Sequence, residues 1–212
     1  LATSTNIRPI VIYGGTFNPI HYGHLMPAIE SAQSVNAQTL IYLPCHLPPH
    51  KEVPNVSSAQ RIKMTRLAVS EIHTSPLTIE VSDYETNLTS PSYTRNSVEY
   101  FYNKYPNQPL YFLIGMDSLL NFHLWYKWQE IFNYCDLLVM QRPGIHYQSN
   151  AVASELRPYL EHQVTFTQVT EVDISSTQIK ALYQSPADID PNTLSLVPVS
   201  VQQYIQANKL YR

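Results

Sequence analysis

The stretch GGTFNPIHYGH, Gly14 to His24, decides how this chain is read. It follows the apolar run Ile10-Val11-Ile12-Tyr13 and crowds a Gly-Gly pair, an Asn-Pro pair and two histidines three residues apart into eleven positions. A metal site, a phosphate cradle and an ordinary strand-to-helix turn are the competing readings. Gly14-Gly15 lets the backbone come close to a ligand, since no Cβ intervenes. The N–H groups of Thr16 and Phe17 could then point at phosphate oxygens. A helix starting just beyond adds partial positive charge. His21 and His24 are spaced to share one helix face, and Pro27 requires that helix to begin only a few residues upstream. The pattern is neither G-x-G-x-x-G nor a P-loop, because no G-K-[ST] follows. Zinc is disfavoured: H-E-x-x-H is absent, and neither Cys45 nor Cys135 has a nearby partner thiol. On these residues alone, a turn with two surface histidines is the plainest reading.

The rest of the chain narrows the choice. Its 212 residues suffice for one domain with a full core. At 44% hydrophobic and 14% charged it reads as globular. A net charge of −3 leaves no basic surplus for gripping a nucleic-acid backbone, whereas a nucleotide-sized anion needs only a few local donors. Two cysteines make no disulfide framework and suit reduced thiols in a cytoplasmic protein. No apolar run reaches the length of a membrane span, and the N-terminus lacks the pattern of a secretion signal.

Apolar runs alternate with helical patterns. Strands are expected at Pro9–Gly14, Thr39–Leu43, Leu77–Val81, Pro109–Ile114, Leu137–Met140 and Val164–Val169. Helices are expected at Leu25–Val35, Ala59–Ile72, Tyr93–Tyr105, Asn150–Leu160, Ser175–Tyr183 and Val199–Ala207, with aromatic-rich helical turns from Asp117 to Tyr134. Pro44–Ser57, with four prolines, must be a loop. This order predicts an α/β fold: a Rossmann-like, doubly wound parallel sheet with helices on both faces. No repeat divides the chain, so residues 1–212 are expected to form a single domain, with a C-terminal helical part from about 170 to 212. Ligands of such sheets bind beyond the carboxyl ends of the strands, near the switch in strand order.

Several loaded positions follow strands. Lys51, in Leu47-Pro48-Pro49-His50-Lys51, is a mobile charge on a stiffened loop. Thr94, in Ser90–Thr94, could cap a helix. Gly115 and Asp117 end the run PLYFLI, and the carboxylate suits either ribose hydroxyls or a helix cap. Trp125 and Trp128 read ordinarily as packing. Arg142 leaves a strand before Pro143-Gly144. Ser175, Ser176 and Thr177 open ISSTQIK, where Ser175 and Gln178 also form an acceptable capping box.

Taken in order, these segments resemble one family. GGTFNPIHYGH is similar to the G-x-F-[DN]-P-x-H-x-G-H signature of the HxGH nucleotidyltransferases. PPHK, PSYT, the Asp117-to-Trp125 segment, RPG and ISSTQIK resemble segments of its nicotinate-nucleotide adenylyltransferases. The resemblance implies adenylyl transfer from ATP to nicotinate mononucleotide. It gives His21 and His24, with Lys51, the catalytic grip on the phosphates. Gly14, Gly15, Thr16, Phe17, Ser175, Ser176, Thr177 and Lys180 would hold ATP. His50, Thr94, Gly115, Asp117, Trp125, Tyr126 and Arg142 would hold the mononucleotide, with Trp125 stacked on the pyridine ring and Thr94 and the Tyr126 N–H on its carboxylate. Mg²⁺ is implied, bound mainly through ATP phosphates rather than by a protein metal site. Two positions depart from the family: Lys180 stands where Arg is usual, and Cys45-His46 where Asn or Trp is common. The implied partners are ATP and the mononucleotide, with no nucleic acid and no membrane, in a monomer or homo-oligomer.

Overall fold

A computed structural model describes residues 7–46, 56–89, 91–141, 151–184 and 191–212. Six strands form one parallel sheet: β1 (Ile10–Gly15), β2 (Thr39–Pro44), β3 (Thr78–Val81), β4 (Leu110–Gly115), β5 (Asp136–Gln141) and β6 (Val164–Gln168). Their spatial order is β3-β2-β1-β4-β5-β6, so the order reverses between β1 and β4. Tyr13 pairs with Leu113 across that junction, which aligns the chain exits of the two central strands.

The strands are apolar throughout because both faces are covered. Val11, Leu40, Tyr42, Leu113 and Leu138 point to one face, and Ile10, Ile12, Ile41, Leu43, Phe112 and Leu137 to the other. The first face packs on α1 (Tyr22–Ser34), α2 (Ser58–Ser70), α6 (Ser176–Gln184) and α8 (Val199–Ala207). The second packs on α3 (Thr94–Lys104), α4 (Met116–Leu120) and α5 (Trp128–Ile131). Trp128 is buried there, a core residue as its type suggests. The short α7 (Pro191–Ser195), which no periodicity announces, precedes α8.

The expected Rossmann-like layout is present, with two local differences. Helix α1 begins three residues before the expected Leu25, so Pro27 lies inside it. The Asn150–Leu160 helix does not form over its described part. Residues 151–160 make turns, bends and short 3-10 pieces, including Arg157–Tyr159. Pro158 lacks the N–H and disfavours helix at the residue before it. Among the described residues no helix is long and apolar enough to cross a membrane.

Candidate active site

A cavity of about 1460 Å³ opens at the carboxyl ends of β1 and β4, where the strand order reverses. Gly14, Gly15, Thr16, Phe17 and His24 line one part of it, with Ser176, Thr177 and Lys180 of α6. Thr94, Gly115, Asp117, Trp125 and Tyr126 line it as well. Residues from four of the segments singled out in the sequence, the turn after β1, the start of α3, the Gly115–Tyr126 stretch and α6, thus line one space.

The turn after β1 is built to present donors. The Gly15 carbonyl accepts from the Cys45 N–H at 3.0 Å, and the Thr16 carbonyl accepts from Arg61 Nη1 at 2.8 Å. The N–H groups of Thr16 and Phe17 meet no acceptor among the described residues. A Cβ at Gly15 would lie 2.7 Å from the Phe17 ring, so only glycine lets that ring fold back under the turn. Phe17 itself takes φ 47° and is buried.

His21 occupies the N-cap position of α1 without a side-chain cap bond and His24 sits in the first turn, with ring centroids 3.8 Å apart. His24 also meets Phe17 edge-on at 5.3 Å. His21 is only 3% exposed, and its Nδ1 finds no partner among the described residues. Burial holds its pKa down at about 4, so it is neutral near pH 7 and offers a donor rather than a charge. His21 stands behind the cavity wall while His24 lines it.

On α6 the capping box forms: Gln178 Oε1 accepts from the Ser175 N–H at 2.7 Å, and Ser175 Oγ accepts from the Gln178 N–H at 3.2 Å. Ser175 therefore serves the helix and does not line the cavity, whereas Ser176, Thr177 and Lys180 do. Ser176 Oγ donates to the Pro19 carbonyl at 3.0 Å, tying α6 to the first turn.

At the other end, Thr94 is the first residue of α3 and caps nothing; Tyr93 occupies the cap position. Asp117 likewise falls inside the first turn of α4, after the cap residue Gly115, and is exposed. Trp125 is half-buried against Phe122 and edge-on to Phe112, leaving part of its ring toward the cavity. Tyr126 packs on Tyr93 at 4.6 Å, and its N–H has no backbone acceptor among the described residues. An ion network fixes this end: Arg95 Nε donates to Glu130 at 2.8 Å, Arg95 pairs with Glu99, and Lys127 reaches Glu130 at 3.0 Å. It joins the helix that carries Thr94 to the turn that carries Trp125 and Tyr126.

His50, Lys51 and Arg142 lie outside the described residues. The sequence reading missed Glu85, buried at the cavity wall, where Ser97 donates to it at 2.6 Å. Burial pushes its carboxyl up, against the pull of Ser97 and Ser92. It also missed Arg61. The signal was present: Arg61, Met64, Thr65 and Ala68 share one helical stripe, and all four are buried.

The cytidylyltransferase-like family model matches residues 12–182. A curated relative from Shewanella sp. (strain W3-18-1), named "Probable nicotinate-nucleotide adenylyltransferase", is 38% identical over 95% of this chain and 98% of its own length. A relative of the same name from Yersinia pestis (strain Pestoides F) is 39% identical over 95% of this chain and 94% of its own. The chain belongs to the nicotinate-nucleotide adenylyltransferase family. The fold agrees with this family: the Plasmodium falciparum nicotinic acid mononucleotide adenylyltransferase complexed with NaAD superposes with a TM-score of 0.74 at 18% identity. That alignment covers 96% of this chain and 97% of the other. In this chain the GGTFNPIHYGH stretch forms the turn after β1, and the strand-order switch holds the cavity.

Proposed function

We propose that this cavity transfers the adenylyl group of ATP to nicotinate mononucleotide, giving nicotinate adenine dinucleotide and diphosphate in NAD biosynthesis. The observation that carries the reading is the turn after β1. Its carbonyls are drawn away into the protein, and its Thr16 and Phe17 N–H groups meet no acceptor among the described residues, beside the closely packed His21 and His24 rings. That is a site for an anion.

The mononucleotide phosphate is itself the nucleophile, so no Ser or Cys nucleophile is needed. Its oxygen bonds to the α-phosphorus of ATP as the bond from that phosphorus to the diphosphate breaks, and the diphosphate leaves with the electron pair. The protein must hold two mutually repelling anions in line and steady the charge that develops on the leaving group. The Thr16 and Phe17 N–H groups, His24, Ser176, Thr177 and Lys180 supply donors and charge on the ATP side. By resemblance, Lys51 is assigned to the phosphates and Arg142 to the mononucleotide site. Trp125 offers a stacking face for the pyridine ring, and Thr94 with the Tyr126 N–H offers donors to its carboxylate. An amide would set a donor against that N–H, which favours the acid.

The donors lining the cavity are mostly anion-binding groups, with Glu85 and Asp117 the carboxylates among the described lining residues. That set suits Mg²⁺ carried by the nucleotide, where it would neutralise phosphate charge. The expected compartment is the cytoplasm, where ATP is supplied.

Diphosphate release from ATP, Mg²⁺ and nicotinate mononucleotide tests the reading, with nicotinamide mononucleotide as the rival acceptor. The acid form should give the higher kcat/KM. His24→Ala should lower kcat by roughly 100-fold, as losing one transition-state donor does, while keeping part of the binding. Near-normal turnover of that variant removes the role given to His24.

A further inference from the structure

Arg61 is the largest fully buried side chain, 1% exposed, and it forms no ion pair among the described residues. Its Nη1 donates to the Thr16 carbonyl at 2.8 Å and its Nη2 to the His46 carbonyl at 2.9 Å, and its Nε has no partner among the described residues. A guanidinium without a counter-ion is costly to bury. A position that only filled space under the turn would be more stable with an apolar side chain. The bonds of Arg61 go instead to two carbonyls at the ends of β1 and β2.

The geometry matters because a trans peptide directs its C=O and N–H to opposite sides. Drawing the Thr16 carbonyl down to Arg61 turns the Phe17 N–H up, toward the cavity. The planar fork holds a second carbonyl at the same time, at His46, where β2 runs out beside the cavity. The field of the charge also reaches the cavity wall. Burial pushes the Cys45 thiol up, and Arg61 pulls it down.

We propose that Arg61 is a positioning residue for the nucleotide phosphates: it fixes the Thr16–Phe17 peptide with its N–H toward them, and the entering phosphates balance its buried charge. This rests on the adenylyl-transfer reading of the same cavity.

The test compares wild type, Arg61→Lys and Arg61→Met, each first checked for folding by circular dichroism and thermal midpoint. Equilibrium binding of ATP and steady-state kinetics are then measured on the folded variants. Arg61→Met is expected to weaken ATP binding by roughly 10- to 100-fold and to leave the KM for mononucleotide within about threefold. Arg61→Lys, which keeps the charge but loses the fork, should recover part of the ATP affinity. A folded Arg61→Met with wild-type ATP affinity overturns the proposal.

If neither variant folds, the wild type gives the readout. The exchange-protected Nε–H of Arg61 in a ¹⁵N spectrum should shift on adding ATP, and an unmoved signal overturns the proposal. A wild type that binds ATP but releases no diphosphate from it defeats the adenylyl-transfer reading instead, and the ATP affinities still judge Arg61.

Discussion

The Tyr211 hydroxyl donates to Asn18 Oδ1 at 2.7 Å, joining the next-to-last residue of the chain to the turn after β1. Tyr211 is buried among Leu210, Tyr183 and the core of α6 and α8, while Asn18 is half-buried at the cavity wall. Tyr211→Phe keeps the ring and removes the bond. It should cost about 1 kcal/mol of stability and lower kcat/KM for ATP by roughly three- to tenfold, because Asn18 and its neighbours are no longer held from below. Denaturant titration and kinetics at varied ATP measure both. A variant equal to wild type in both would make the contact incidental.

Gly23 sits where two motifs meet. A Cβ there would lie 2.9 Å from His21 Nδ1 and 2.9 Å from Ile174 Cγ2. Either the imidazole or the segment leading into α6 must move. Gly23→Ala should destabilise by about 1–3 kcal/mol, as overpacking does, and lower kcat at least tenfold through the displaced His21. Gly115 makes a useful contrast, since a Cβ there meets nothing within 4 Å among the described residues. Gly115→Ala should keep the thermal midpoint while raising the KM for mononucleotide. Unchanged kinetics in Gly115→Ala would place the ligand farther from β4.

Much of this was legible from the chain alone, and for local reasons. The strand Ile10–Gly15 and its turn are written in adjacent residues, and so are the histidine spacing and the Ser175–Gln178 box. Their meaning does not depend on distant partners. What stayed hidden depends on long-range contacts. Nothing near Arg61 says that its fork will reach Thr16, 45 residues away, and nothing near Tyr211 points to Asn18, 193 residues away. Ser175 and Ser176 show the same limit at close quarters. Adjacent hydroxyls looked equivalent, yet the capping bond takes one away from the cavity and the Pro19 carbonyl fixes the other beside it. Over 151–160 the expected helix does not form, and Pro158, which lacks an N–H and disfavours helix at the residue before it, accounts for that.

The Arg95–Glu130 pair gives a further prediction. Partly exposed ion pairs contribute little to stability, so Glu130→Gln should leave the thermal midpoint nearly unchanged. Yet this pair helps set the separation of Thr94 from Trp125 and Tyr126. The variant should therefore raise the KM for nicotinate mononucleotide by roughly three- to tenfold and leave the KM for ATP alone. High salt should mimic part of that effect in the wild type, because it screens the pair. An equal rise in both KM values would show that the network supports the fold generally rather than one end of the cavity.

His21 makes the pH dependence predictable. Its folded pKa of about 4 lies below the unfolded value near 6.5. Between those values the unfolded chain takes up the proton and the native protein resists it. The stabilising contribution is thus complete above about pH 6.5 and is lost as the pH falls toward 4, by up to about 3 kcal/mol. Glu85 works in the opposite sense. Its raised carboxyl pKa means that the native state binds that proton more readily, so acid favours folding at that site. The two effects are separated by comparing thermal midpoints at pH 7.5 and pH 5 for wild type and His21→Asn. The wild type should lose more on acidification, because the asparagine cannot titrate while Glu85 is common to both. ATP should shrink the wild-type loss, since phosphates beside the imidazole favour its charged form and raise its pKa. Equal acid sensitivity in the two proteins would mean that His21 takes up its proton at the same pH folded and unfolded, and that its burial is relieved in solution.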